Sequence, residues 1–534
     1  MNRRRSLLAL VSTGVLTASL AACGGGSSDS NGGGSGAAND AWILGTTDTV
    51  TSLDPAGSYD TASWNMQYSL YQQLMTVPAG ETQPVGDAAQ SCEFNDPKTV
   101  TCKLQPGLKF SNGDDLTSSD VKFSFERNLK IADPNGASVL LFQLTDKKGQ
   151  LRSDAIDTPD DTTVVFHLNA PDQTFIQVLS GAATSIVDED VFPADKLLGD
   201  SDIIGSGPYA LSQFKPGEQA VLEANKNYSG DRKPQSSQVF VQYFKDSAPL
   251  KEAIDTGQID VAWRTLSPTD LNDLKQNSDA QVIEGQGAEF RYWVWDFKSA
   301  VGKEAAVRQA VAYLIDRDAI AKNAYDGIVE PSYSIVPPGF QGHKDSFKEL
   351  YGATPNLNAA KKVLSDAGVQ TPVPLTIGYT TDHYGPNSVD EATELSNELN
   401  DSGLFDSKTE SAEWEQYQTL YKQQAYDLWE MGWYPDFLDS DNYLSPLVRD
   451  GGFFANGYSN PEVNKLLDSE LADPNPSSRA ATFGKLQDLV AKDVPLVPSW
   501  IGKNIAVAGP NMQGVEETLD PTYIFRLWEI SKSS

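Results

Sequence analysis

Only three histidines and three cysteines occur in the 534 residues, so acid–base, thiol and metal chemistry have few places to sit. His167 falls inside an alternating, strand-like run. His343 and His383 fall in Gly/Pro-rich loops with no serine or cysteine nucleophile motif beside them. There is no HExxH, phosphate-loop or CxxC motif, and no GxGxxG opens a helix. Asp439-Ser440-Asp441-Asn442 begins like a calcium loop but lacks the glycine at the sixth position and the glutamate at the twelfth, so it reads as polar loop capping. No cofactor and no metal is expected, and the chain reads as a binder and not an enzyme. A secreted hydrolase built on carboxylates alone stays open as an alternative, because paired acids are common among 73 acidic residues.

Aromatic residues in polar surroundings are the stronger signal. Trp293 and Trp295 alternate with Tyr292 and Val294, Trp263 abuts Arg264, and Trp414, Trp429, Trp433 and Tyr434 cluster late in the chain. On a strand, alternation puts Trp293 and Trp295 on one face and Tyr292 and Val294 on the other, so one set could be core while the other faces a cleft. Around Gly432, Pro435 and Asp436 the aromatics lie in a loop where core packing does not require them, which points to a binding surface.

The elements that must position these residues alternate between strand and helix patterns without a fixed-period repeat, an α/β pattern with long excursions. Strands are predicted at Ala41–Thr46, Thr99–Leu104, Thr163–Leu168, Gln238–Phe244, Arg291–Phe297 and Leu375–Tyr379. Thr117-Ser118-Ser119-Asp120 can cap a helix with Val121, Phe125 and Leu129 on one face. Val307, Ala310, Val311, Leu314 and Ile315 follow a gapless apolar helix period. Asn358 and Gly368 bound a short helix, and Asn460-Pro461 starts another with Val463, Leu466, Leu467 and Leu471 inward.

Length calls for at least two lobes. With 41 Lys+Arg against 73 Asp+Glu the net charge is −32, which argues against nucleic acid as a partner. The N-terminus reads as an export signal over residues 1–22: Arg3, Arg4 and Arg5, then an apolar stretch, then Leu20-Ala21-Ala22 before Cys23. That ending resembles a bacterial lipobox, which implies lipidation of Cys23 after cleavage. An ordinary secretory signal is the alternative, and Arg4-Arg5 leaves the general and twin-arginine routes both open. Residues 23–39 carry that cysteine and a Gly/Ser tether whose coil spans about 20–25 Å. Cys92 and Cys102 flank a turn signal at Phe94–Lys98, so a disulfide across a hairpin is expected, with a redox-active or metal-binding pair as the alternative.

Several stretches together resemble family 5 of the extracellular solute-binding proteins, the oligopeptide, dipeptide and nickel binders of ATP-binding cassette importers. They are Thr51-Ser52-Leu53-Asp54-Pro55, Phe110-Ser111-Asn112-Gly113 through Ser124, Ile204-Gly205-Ser206-Gly207-Pro208-Tyr209 through Tyr228, and Val307-Arg308-Gln309-Ala310 through Arg317. The segment Tyr426-Asp427-Leu428 through Gly432-Trp433-Tyr434-Pro435-Asp436, ending at Asp441-Asn442-Tyr443, is similar to the family's Gly-Trp-x-x-Asp loop. The resemblance implies an α/β, two-lobe periplasmic-binding-protein-like fold (class II type) with an extra subdomain inserted in the first lobe. Mapped here, lobe I comprises 40–76, 205–287 and 503–534, the insertion 77–204, and lobe II 288–502. It also implies a ligand held between closing lobes, with Asp436 pairing the α-ammonium of a short peptide, and a membrane permease as partner.

The full expected contact set is Asp436, Trp433, Tyr434, Gly432, Trp414, Trp263, Arg264, Trp293 and Trp295. Tyr434-Pro435 stands where many members carry smaller residues, and a non-peptide cargo (a metal chelate, oligosaccharide, opine or signalling molecule) is the alternative on the same scaffold. The protein is expected as a monomer, held by lipid on the outer face of a bacterial cell membrane.

Overall fold

In a computed structural model the described residues are 40–533, apart from Asp382 and Pro386. The export signal, Cys23 and the tether lie outside them. Two large mixed sheets carry the architecture, α/β in kind, and each belongs to one lobe. The seven-stranded sheet runs in the order Gln281–Gly285, Asn504–Ala508, Val261–Trp263, Trp42–Thr46, Gln238–Tyr243, Gln219–Ala224 and Tyr209–Lys215. Its centre, Trp42–Thr46, pairs in parallel with strands on both sides. The six-stranded sheet runs Val329–Pro331, Leu496–Gly502, Phe290–Trp295, Leu428–Trp433, Val373–Thr380 and Phe405–Ala412, the last three parallel to one another.

In the chain, between Trp42–Thr46 and Tyr209–Lys215 of the seven-stranded sheet, comes a smaller antiparallel sheet, Ala89–Asp96, Thr99–Leu104, Thr163–His167 and Ile156–Asp160, with its own apolar core. Cys92 and Cys102 face one another in register across its first hairpin and are disulfide-bonded. His167 bonds Asp157 across the neighbouring hairpin at 3.0 Å, and His343 bonds the Val336 carbonyl at 2.7 Å, so both serve local structure. Helix Ser118–Ile131 packs on this sheet and starts with the capping box its sequence predicts, Thr117 and Asp120 bonding each other's backbone ends. On that helix Arg127 makes a buried bidentate pair with Asp54, at 2.8 and 2.6 Å, tying the insertion to the larger body.

Helix Ala305–Leu314 buries Val307, Ala310, Val311 and Leu314 as their spacing requires, with Ile315 as its buried C-cap. Helix Leu357–Asp366 is capped by Asn356 and not by Asn358, because the Asn356 side chain is the one that reaches the Ala359 amide. Asn460 caps Pro461–Leu471 as predicted, with Val463 and Leu467 buried and Leu466 and Leu471 only partly so. The chain crosses between the two large sheets at residues 286–289 and again at Lys503. There Gly502 donates to the Glu289 carbonyl at 2.8 Å, and a Cβ on Gly287 would sit 1.9 Å from the Gly502 carbonyl oxygen. Two crossing strands this close require glycine.

A candidate ligand cleft between the lobes

The parallel strands of both sheets aim their carboxyl ends at one place. Asp48 follows Trp42–Thr46, Arg264 follows Val261–Trp263, Tyr384 follows Val373–Thr380, Trp414 follows Phe405–Ala412, and Tyr434 and Asp436 follow Leu428–Trp433. In open α/β sheets this is where ligands bind, because loops there leave the sheet without covering one another. Here all of these residues line a cavity of about 1620 Å³ with walls from both sheets and from the insertion, the last contributing Asp172 and Thr174. That is larger than the roughly 300–1,000 Å³ usual for a small-molecule site.

Asp436 sits on the wall with its carboxylate partly buried. Tyr59 Oη, from the opposite lobe, donates to Oδ1 at 2.7 Å, and Asn442 Nδ2 donates to Oδ2 at 3.1 Å. Burial pushes the Asp436 carboxyl above the usual carboxylate range, with the two hydrogen bonds opposing that shift. Among the described residues no cation pairs with it. Asn442 shapes the loop as well: its Oδ1 accepts from the Asp436 amide at 2.9 Å and from Trp433 Nε1 at 3.0 Å. The loop is anchored from behind by Asp439, which caps Ser440–Tyr443 and takes a bidentate pair from Arg479 at 2.8 and 3.0 Å. Asp439 through Asn442 thus do polar capping.

The structure brings six of the expected residues to the cavity: Asp436, Trp433, Tyr434, Gly432, Trp414 and Arg264. Trp433 meets Phe453 edge to face, and Tyr434 meets Tyr523 edge to face at 5.1 Å with the Arg264 guanidinium 5.4 Å from its ring centre. Trp414 stacks on His383 at 3.8 Å and 7°. The other three expected residues are elsewhere. Trp293 and Trp295 are fully buried in the lobe core: their strand lies between two partners, all six of its residues are buried, and the face they share with Arg291 meets the cavity only at Arg291. Trp263 is also core, stacked on Phe525 and bonded through Nε1 to Asn504 at 2.9 Å, while its neighbour Arg264 turns into the cavity.

Sequence reasoning missed Tyr59, Asn442, Arg291 and Tyr384 as wall residues. Asn442 alone had a signal, since it closes the Gly-Trp-x-x-Asp segment. Tyr59 comes from more than 370 residues earlier and meets Asp436 only through the fold.

Two lobes, a crossing that a pair of strands makes between them, and a cavity walled by both define a solute-binding protein. The family description "Bacterial extracellular solute-binding proteins, family 5 Middle" matches residues 83–455, and the chain belongs to this family. It is 26% identical over 490 residues to the oligopeptide-binding protein OppA of Bacillus subtilis, with 87% of this chain and 88% of the relative covered. The same fold occurs in the periplasmic binding protein DppA of Helicobacter pylori, solved with the peptide STSA, at a TM-score of 0.76 and 21% identity over 92% of this chain and 98% of that one. It occurs also in AgaA of Agrobacterium tumefaciens, solved with agropinic acid, at a TM-score of 0.74 and 22% identity over 92% and 99%. The chain is a substrate-binding protein of an ATP-binding cassette importer, from a family that works outside the cytoplasm.

Proposed function

We propose that this protein captures short peptides outside the cell by closing its two lobes over them, and that Asp436 pairs the peptide's α-ammonium. One observation carries the reading: a partly buried carboxylate on the cleft wall, served by two neutral donors and, among the described residues, by no cation. An ionised carboxylate has about four acceptor positions, so two remain for a guest after Tyr59 and Asn442. In a drying cleft an ammonium is the partner that best offsets the cost of burying that charge. The main chain at Gly432–Tyr434 offers hydrogen bonds to a peptide backbone whatever its side chains.

The strand memberships support lobes at 40–76, 205–287 and 503–534 against 288–502, with 77–204 inserted, and a hinge at the two crossings. Closure is favoured by the extent to which the ligand binds the closed form more tightly. Cys23 then serves as the lipid anchor, with the protein delivering its cargo as a monomer to a membrane permease.

The test compares free and N-acetylated tripeptides by calorimetry on the full-length protein, together with Asp436→Asn. Binding of the free form, strong loss on acetylation, and equal weakness of both forms in the variant are expected. Equal affinity for free and acetylated peptides in the parent protein would exclude the ammonium pairing. Mass spectrometry of whatever co-purifies identifies the cargo directly, and a non-peptide solute there would replace the peptide reading.

A further inference from the structure

The first lobe carries two apolar clusters apart from the main core, and each of them receives one side chain from the second lobe. The core of the insertion, drawn otherwise from residues 74–204, takes Phe437. The cluster under helices Ser247–Asp255 and Pro268–Leu274, built around Leu250, Ile254 and Leu271, takes Ile328. Among the described residues no other side chain of the second lobe joins either cluster. Phe437 and Ile328 are both half-buried and both line the cleft, so the two contacts border the cavity at separate places. Phe437 directly follows Asp436, while Leu438 after it is buried in its own lobe, so the loop is anchored from behind and turns one ring outward into the insertion. The insertion meets the second lobe again where the Gln173 amide donates to the Leu471 carbonyl at 2.9 Å. Ile328 is presented by a tight turn: Asp326 and Gly327 hold φ +51° and +79°, and the Ile328 amide donates to the Tyr325 carbonyl at 3.0 Å. An aspartate in the left-handed region is uncommon, and here it turns the chain so that Ile328 reaches the other lobe.

Apolar contact is non-directional and scales with the area removed from water, so neither side chain selects among cargos through its seat in the first lobe. We propose that Phe437 and Ile328 are latches, seated in the two clusters when the lobes close and withdrawn when they part, which stabilise the closed form by the same amount whatever the cargo. This rests on the lobe closure proposed above and not on the cargo being a peptide. The apparent dissociation constant is the intrinsic one divided by the fraction of protein in the binding-competent form. The latches therefore set a baseline shared by all cargos, on which Asp436 and the rest of the wall discriminate. Because Phe437 adjoins Asp436, seating the ring also fixes the backbone that carries the carboxylate.

The test uses small-angle X-ray scattering and calorimetry on the full-length protein, freed of bound cargo by unfolding and refolding, with free and N-acetylated tripeptides as probes. Phe437→Ser and Ile328→Ser are each expected to widen the radius of gyration of the peptide-free protein, and saturating tripeptide should return it to the parent's value. Each should also weaken every tripeptide by one common factor, about five- to tenfold for a half-buried side chain of this size, with the ratio between free and acetylated forms unchanged. A side chain that served only the fold of its own lobe would lower the melting temperature without moving the radius, and that result overturns the latch. Weakening of some tripeptides and not others assigns the residue to the ligand surface and overturns it as well. Unchanged radius and affinity in both variants overturn the latches, and closure itself still stands where peptide compacts the parent protein. Failure of the parent to bind any tripeptide overturns the peptide reading, while the comparison of radii still decides the latches. If a Ser variant does not fold, Phe437→Leu and Ile328→Ala carry the same comparison, with smaller shifts in the same direction.

Discussion

Phe290–Trp295 and Gly432–Asp436 are both aromatic-rich, and within the same sheet they end in opposite places. The first is a strand with hydrogen-bonded partners on both sides, and its two tryptophans are fully buried. The second begins where the neighbouring strand Leu428–Trp433 runs out, and its rings are half-buried along the cleft. Ring content is shared; what differs is whether the backbone is still committed to the sheet. In the middle of a doubly paired strand a side chain belongs to the core on both faces, whereas near a strand end, as at Arg291 and Trp433, or past its carboxyl end it belongs to whatever the loops enclose. Trp429 makes the same point within one strand, stacked on Tyr421 in the core only four residues before Trp433.

That contrast is most exposed to test by truncating a ring on the buried side. Trp293→Ala is expected to lower stability by about 3–5 kcal/mol in denaturant melts while leaving ligand preference intact, because it opens a void in the lobe core and not in the cleft wall. A change of ligand preference without loss of stability would break the contrast. On the loop side, Asp436→Asn keeps size and is expected to lower peptide affinity by about 2–5 kcal/mol in calorimetry, with no loss in the melting temperature of the ligand-free protein. Asn442→Ala removes the group that holds both Trp433 and Asp436, and a loss of about 1–3 kcal/mol is expected. Trp414→Phe, which keeps a ring against His383, should cost less than about 1 kcal/mol of affinity.

Acid sharpens the contrast further. Because burial raises the Asp436 carboxyl, its charged form is lost at a higher pH than that of an exposed aspartate. Peptide affinity should therefore weaken as pH falls through that raised value, and Asp436→Asn should abolish this acid limb. In the ligand-free protein the sign reverses. A group whose folded pKa is raised contributes stability at low pH that is lost as pH rises through the folded value, so Asp436→Asn should flatten that decline in melting temperature.

Local patterns carried much of the fold. Thr117 and Asp120 form a capping box because both partners lie within one turn, and Val307 through Leu314 bury one face because helix geometry leaves no other choice. The short helix after residue 355 shows the limit: Asn356 and Asn358 are equally good caps by type, and only the φ/ψ of the entering chain chose the former. In the site, the Gly-Trp-x-x-Asp loop was legible because its aromatics had no core to serve. Trp263, Trp293 and Trp295 were misplaced because alternation tells which side chains share a face but not whether that face is covered.

By itself, the order of residues determined the family, the α/β class and the loop that carries Asp436, all set by interactions spanning a few residues or by motifs in fixed order. Only the tertiary structure decided that Tyr59 reaches Asp436, that Arg264 and Arg291 face one cavity, and which tryptophans are core. These depend on where strands far apart in the chain stop, and a strand's end becomes a wall only when another lobe stands opposite it.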